Sequence, residues 1–418
     1  MNVTGVIAEY NPFHNGHFYH LQQTRLETDA DFIIVLMSGD FVQRGEPAIT
    51  DKWYRTKMAL LGGADLVLEL PCFAASGSAE YFARGSVSLL ESSGVVSCLS
   101  FGSESGDLNA LSCAASFFAQ EPESYQMLLR QNLKKGMSFP EARQEAFSSY
   151  HEAEGSNNLL SLESILSSPN NLLGMEYLKA LLRGSSSIVP HTVRRFGKGY
   201  HDFDVSSSTF GSASGIRKAL SDHLSLESVR CQMPPDIFSV LTNSWMQSAP
   251  IFVNDFSSLL HYRLLSLTDQ AQICSHYDIS EDLADRILKI RSNFTSFSDF
   301  VALLKTRQIT YTRASRCLLH LLLNMQQKTA DSFFKDSAAY LRILGFRKSA
   351  GPLLAMMKKQ CSVPVITKLA NAKKILSPAA FSVLSQDLFC SDVYHAVAAQ
   401  KYPGHKYNEY KISPVILP

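Results

Sequence analysis

The chain begins with an apolar run, Val3 to Ala8, that leads directly into Asn11-Pro12-Phe13-His14-Asn15-Gly16-His17. No other feature restricts the possible fold as much. A short run of this kind, apolar but for Thr4, reads as a strand buried on both faces, the mark of a parallel sheet covered by helices. Pro12 fixes the loop that leaves the strand. If a helix begins at the HxGH segment, the imidazoles of His14 and His17 share one face of its first turn. The unpaired N–H groups and positive dipole end of that turn favour an anion, and Gly16 lets the backbone approach it closely. Transfer at the α-phosphate of a triphosphate needs positioning and charge stabilisation more than a covalent nucleophile, and two histidines suit that task. A histidine pair at a helix start means little alone; the buried strand and the Asn-Pro lead-in give it weight.

The rest of the first half repeats this grammar. Phe32 to Met37, Asp65 to Leu70 and Cys98 to Phe101 read as strands, and roughly Thr50 to Leu61 and Ser78 to Ser92 as helices. Strands alternating with helices predict βαβ units, and ligands of such sheets collect at the carboxyl ends of the strands. The loops beginning at Glu9, Ser38, Pro71 and Gly102 are therefore expected to face one crevice. Asn170 to Leu182 reads as a helix, Ile188 to Phe196 as a strand, and Ser212 to Leu220 as a short helix. Beyond them strand-like runs are few and helical ones many, notably Glu281 to Arg291, Ser296 to Lys305, Thr312 to Met325 and Ala350 to Lys359. The expected fold is α/β, a Rossmann-like parallel-sheet domain over residues 1–225 followed by a mainly α-helical domain over residues 226–418.

A net charge of +1 hides an asymmetry between the two halves. From Leu226 onward there are 22 Lys and Arg against 14 Asp and Glu, whereas the first 225 residues hold 17 against 24. Arg286 to Lys374 carries 17 basic and 3 acidic residues, interleaved with aromatics at Phe294, Tyr311 and Phe346. Basic residues neutralise phosphates and aromatic rings stack on unpaired bases, so the second half is expected to meet RNA. Arg313, Arg316, Arg347, Lys348, Lys358 and Lys359 are the candidate contacts, although Phe294 and Phe346 also suit a core. No apolar run is long enough to span a membrane and no leader stands at the N-terminus, so the expected location is cytoplasmic. The eight cysteines lack zinc-site spacing and are expected to be reduced.

The segment Gly5 to His17 resembles the bacterial tRNA(Met) cytidine acetate ligase family, a branch of the HxGH nucleotidylyltransferase-like proteins. The resemblance continues through Met37 to Pro47, Ala64 to Pro71, Phe101 to Glu104, Ser168 to Gly174, Arg194-Arg195 and Gly199-Tyr200-His201-Asp202. It implies that acetate attacks the α-phosphate of ATP to give acetyl-adenylate and pyrophosphate, and that the acetyl group passes to N4 of the wobble cytidine of elongator tRNA(Met). It also implies that ATP is held by Ile7, Ala8, Glu9, Tyr10, Asn11, Pro12, Phe13, His14, Asn15, Gly16, His17, Phe18, Tyr19, His20, Gly102, Asn170 and Arg195, with His14 and His17 catalytic. The resemblance is compatible with either member of the pairs Asn170/Asn171 and Arg194/Arg195.

Ser212, Ser214 and Arg217 stand where related proteins carry a second phosphate-binding element, and they are candidates for the β and γ phosphates. An ordinary serine cap reads the same way. Asp40 or Glu46 could hold Mg2+ with the phosphates, and Arg44 or Lys52 could steady them; each is weak alone, and no metal ligand is assigned. Acetate is already anionic at neutral pH, so its activation asks for no general base. Two other readings remain at this point: a small-molecule adenylyltransferase of cofactor synthesis, and a non-catalytic RNA-binding factor on a nucleotide-binding scaffold. The basic half speaks against the first, and the intact His14, Gly16 and His17 against the second.

Overall fold

The computed structural model describes residues 1–153, 168–195, 211–222, 225–335 and 340–418. Its centre is a sheet ordered β10-β8-β5-β2-β1-β6-β7, with β9 beside β8. The strands are β1 (Val3–Ala8), β2 (Phe32–Ser38), β5 (Leu66–Leu70), β6 (Cys98–Ser103), β7 (Val189–Arg194), β8 (Leu341–Arg347), β9 (Val365–Ile366) and β10 (Val415–Leu417). A separate hairpin pairs β3 (Phe41–Val42) with β4 (Glu46–Pro47). In β2 and β5 nearly every residue is buried, as a central parallel strand requires. β1 runs parallel to both β2 and β6, with Val6 opposite Val35 and Ser100. β7 runs parallel to β6, with Arg194 opposite Ser103. The carboxyl ends of these strands therefore point the same way, and the loops leaving them converge.

Helices cover the sheet. Ser78 and Asp51 start two of them as the sequence suggests: Asp51 Oδ1 accepts from the N–H groups of Trp53 at 2.9 Å and Tyr54 at 3.0 Å. The expected helices of the second half appear at Glu281–Ile290, Phe297–Leu304, Tyr311–Leu322 and Gly351–Gln360. They share one continuous apolar core with the sheet, in which Phe73 stacks on Phe333 at 6.3 Å. Among the described residues no helix is long and apolar enough to cross a membrane.

The expected division between residues 1–225 and 226–418 requires a correction, because the sheet does not end with the first half. β8 pairs antiparallel with β5, and β9 and β10 each pair with β8, so three strands from the C-terminal part complete the sheet. Sequence patterning hides β8 because Arg342 interrupts its apolar run and Arg347 ends it. In the fold Arg342 is matched by the neighbouring strand, its Nη1 lying 2.8 Å from Glu69 Oε2. The C-terminal tail adds Glu409, 2.6 Å from Arg342 Nη2 and also bonded to the buried Lys52. Lys52 Nζ donates to Glu69 Oε1 at 2.7 Å and to Ser391 Oγ at 2.8 Å, and Ser391 Oγ donates to Asp40 Oδ2 at 2.7 Å. Asp40 and Lys52 thus belong to a buried charge cluster that fastens the tail to the sheet, and not to a phosphate or magnesium site.

Candidate active site

The first turn of the helix Asn15–Glu27 is held by its own histidines. His14 is the N-cap: its Nδ1 accepts from the Gly16 N–H at 3.0 Å, while His17 Nδ1 accepts from the His14 N–H at 3.3 Å. An Nδ1 that accepts from an amide carries no proton, so in each neutral ring the proton sits on Nε2. Burial pushes the His14 pKa down to about 3, helped by Arg195 and Arg217, and drives that of His17 well below its usual value. The rings stack at 3.8 Å with 28° between their planes, an arrangement that two imidazolium ions would oppose. The turn therefore offers two Nε2–H donors on neutral rings. Tyr10, whose backbone occupies the left-handed region at φ 49°, is buried and backs His17 edge-on at 4.8 Å.

Around this turn lies a cleft of about 590 Å3, a size suited to a nucleotide. Of the expected ATP residues, Ile7, Ala8, Glu9, Tyr10, His14, Gly16, His17, Tyr19, His20, Gly102, Asn170 and Arg195 line it. Asn11, Pro12, Phe13, Asn15 and Phe18 do not line it and serve to shape the loop and helix. Asn11 Oδ1 accepts from the Ile49 N–H at 2.7 Å, Asn15 Nδ2 donates to the Cys231 carbonyl at 2.8 Å, and Phe13 is wholly buried.

A second helix N-terminus faces the cleft at Ala213–Ser221, where Ser212 Oγ accepts from the Gly215 N–H at 3.0 Å. Ser212, Ser214 and Arg217 all line the wall. Arg217 Nη1 donates to the Asn11 carbonyl at 2.8 Å, and its Nη2 lies 3.5 Å from Glu46 Oε2, which ties this helix to the HxGH loop. Arg44 lines the cleft beside Glu9, whose Oε1 accepts from the Gln43 N–H at 2.9 Å. Burial raises the Glu9 pKa against the pull of that N–H, Arg44 and Arg217.

The opposite wall comes from the ends of β6 and β7. Gly102 is open to the cleft, and a Cβ there would stand 3.3 Å from Arg195 Cγ. Asn170 lines the cleft, whereas Asn171 is buried with its Oδ1 accepting from the Ser105 N–H at 3.1 Å, so the geometry favours Asn170 as the ligand-facing member. Arg194 and Arg195 both reach the cleft. The segment Gly199-Tyr200-His201-Asp202 lies outside the described residues.

Two contributors carried no signal that singled them out. Glu104 accepts from the helix that bears Asn170, and Arg55 is fully buried while donating to the carbonyls of Glu9 at 2.7 Å, Ser38 at 3.0 Å and Gly39. Arg55 thus clamps the ends of β1 and β2 from behind. In sequence it looks like one more cation on an amphipathic helix. Glu104 closes a motif, but nothing in the residue pattern assigns it a partner.

The basic candidates separate. Arg316 is buried and lies 3.9 Å from Asp278 Oδ2, and Arg347 donates to the Leu60 carbonyl at 3.1 Å from Nε and 2.6 Å from Nη2. Arg316 is buried, and Arg347 is half-buried with Nε and Nη2 turned to a backbone carbonyl, so both are less accessible to a partner than the exposed lysines. Arg313 lies 3.8 Å from Asp278 Oδ1 but remains partly exposed, and Lys348, Lys358 and Lys359 are exposed. Phe294 stacks on His261 at 4.7 Å and is half-buried against the apolar core.

The family model for the HIGH Nucleotidyl Transferase matches residues 1–409. The tRNA(Met) cytidine acetate ligase of Acetivibrio thermocellus is 40% identical over 411 residues, 97% of each chain. That of Caldicellulosiruptor saccharolyticus is 39% identical over 421 residues, covering 100% of this chain and 99% of the relative. The crystal structure of Thermotoga maritima TmcAL bound with alpha-thio ATP matches with a TM-score of 0.91 at 32% identity over 100% of both chains, and the apo form with 0.93. Likeness of this extent, together with the HxGH turn in its cleft, shows that the chain belongs to the tRNA(Met) cytidine acetate ligase family.

Proposed function

We propose that the protein activates acetate with ATP and transfers the acetyl group to N4 of the wobble cytidine of elongator tRNA(Met), forming N4-acetylcytidine. The observation that carries this reading is the pair of neutral histidines at a helix N-terminus, presenting Nε2–H donors to a nucleotide-sized cleft, in a chain that matches such ligases from end to end. In the first step an acetate oxygen attacks the α-phosphorus and pyrophosphate leaves. His14 and His17 take the α-phosphate oxygens, where negative charge builds, and act as charge stabilisers without giving up a proton. Ser212, Ser214 and Arg217 take the β and γ phosphates at the second helix N-terminus. In the second step the N4 amine attacks the acetyl carbon, AMP leaves, and the amine loses one proton. Gly102, Asn170 and Arg195 bound the nucleoside end.

Mg2+ accompanies ATP in this reading. Glu9 and Glu104 are the acidic residues that line the cleft, both already accept from backbone N–H groups, and no three-ligand cluster occurs among the described residues. A Mg2+ ion would be held there largely by the phosphates of ATP and water, and would offset their negative charge. Arg313, Lys348, Lys358 and Lys359 meet the tRNA backbone, and a tRNA substrate places the reaction in the cytoplasm. The test is incubation with ATP, radiolabelled acetate and bulk tRNA, using the parent protein and His17→Ala. Acetate-dependent pyrophosphate release and label in tRNA, both lost in the variant, are expected. Pyrophosphate release with no label in tRNA would point to a small-molecule adenylyltransferase, and neither signal to a non-catalytic factor.

A further inference from the structure

Four helix N-termini border the cleft, at Asn15, Ala79, Pro169 and Ala213, and the one at Pro169 is closed by a carboxylate. Glu104 Oε1 accepts from the Asn170 N–H at 3.2 Å and from Asn170 Nδ2 at 2.6 Å, and its Oε2 accepts from the Asn171 N–H at 2.8 Å. A negative charge already occupies this terminus, so it has no place for a phosphate. In the proposed reaction the triphosphate lies at the termini at Asn15 and Ala213, beside His14, His17 and Arg217, which leaves the nucleoside to the Asn170 side. The same carboxylate settles which way the Asn170 amide points. A carboxylate can only accept, so the group facing it must be the NH2, and the group turned outward must be the carbonyl oxygen Oδ1. No donor among the described residues reaches that oxygen.

We propose that Glu104 is a positioning residue that sets base choice: by fixing Asn170 as a hydrogen-bond acceptor it selects a purine with a 6-amino group over 6-oxo purines. An outward NH2 would favour the oxo group of hypoxanthine or guanine instead. Three donors converge on Glu104, and a glutamine in its place has one acceptor oxygen and an NH2 of its own to set against them. Asn170 then has reason to turn its oxygen toward Gln and its NH2 toward the base. The inference rests on ATP as the nucleotide of the proposed reaction.

The test compares ATP with ITP, which lacks the 6-amino group, in calorimetric binding and in acetate-dependent pyrophosphate release. The parent protein is expected to prefer ATP, and Glu104→Gln to reduce that preference at least about tenfold, chiefly by improving ITP relative to ATP. In Asn170→Ala the preference is already lost, and adding Glu104→Gln is expected to change the ratio no further. Equal weakening of both nucleotides in Glu104→Gln, with the ratio unchanged, would mean that Glu104 only caps the helix and would overturn the proposal. So would a parent protein that binds the two nucleotides alike. Absence of pyrophosphate release with either nucleotide would count against the proposed function alone, because the ratio of the two binding constants still decides the role of Glu104.

Discussion

Replacing Glu409 with Gln is expected to lower the melting temperature by several degrees, although residue 409 touches nothing in the cleft. The carboxylate is buried, bonded to Arg342 Nη2 at 2.6 Å and to Lys52, and both cations are themselves fully enclosed. An amide of the same shape removes the charge and turns an N–H toward one of two cations. Breaking a buried ion pair by removing one partner costs about 3–5 kcal/mol. With an unfolding entropy of ~2.1 cal/mol/K per residue, 418 residues give ~0.9 kcal/mol per degree, so the shift should be about 3–6 °C. Differential scanning calorimetry measures it, and limited proteolysis reports whether the tail beyond Tyr402 has loosened. The double variant Arg342→Met/Glu409→Leu removes both charges and leaves the Lys52–Glu69 pair, so it should lose less than the single variant. The pH dependence follows the same logic. Burial raises the Glu409 pKa, but Lys52 and Arg342 outweigh it and hold the carboxyl below its usual value, so the contribution is present above about pH 4.5 and is lost as pH falls through the folded pKa. A shift under ~1 °C in Glu409→Gln, or a double variant less stable than the single, would refute the role assigned to the cluster.

Three further outcomes are expected. His17→Ala should lower the rate of acetate-dependent pyrophosphate release by about 10²–10³-fold, the usual effect of losing one donor to developing charge; a loss under tenfold would remove His17 from the charge-stabilising role. Buried His14, His320 and His395, with pKa values pushed by burial to about 3, 4 and 4, stay neutral in the fold but protonate in the unfolded chain below about pH 6.5, so stability should fall as pH drops from 6.5 to 5. Each contributes at most about 2 kcal/mol over that interval, and urea titrations at pH 7 and pH 5 check the direction. Removing the exposed charges of Lys358 and Lys359 should weaken tRNA binding and reduce its log–log salt slope by about one to two; an unchanged slope would place the RNA elsewhere.

The parts of the site legible in sequence are those whose chemistry is local. His14, Gly16 and His17 sit within one helical turn, so the strand before them and the spacing between them already determine what the turn presents, and the structure adds the proton positions through His14 Nδ1 and His17 Nδ1. Ser212 is legible for the same reason, as a cap of the helix it precedes. What sequence hides is pairing across distance. Arg342 and Arg347 read as a basic face until β8 is seen beside β5, where one meets Glu69 and the other the Leu60 carbonyl. A charged residue shows its type in sequence but not its partner, and the partner decides whether the charge meets RNA or holds the fold.

Glu104 is the sharpest instance of that rule, because the residue it governs was visible while its effect was not. Asn170 can be picked out as an amide near a helix start, but an amide offers a donor and an acceptor, and sequence gives no means of choosing between them. The choice comes from a carboxylate 66 positions earlier in the chain, brought within 2.6 Å of Nδ2 by the end of β6. Recognition in this cleft thus depends on orientation imposed from outside the motif, just as the end of β1 is held by Arg55 through the carbonyl of Glu9. Substitutions at such supporting positions should change which nucleotide is accepted, or how well the phosphates are placed, while every residue of the HxGH turn stays intact. A survey of activity loss confined to the motif would therefore miss them, and the ATP to ITP ratio in Glu104→Gln is the measurement that would reveal one.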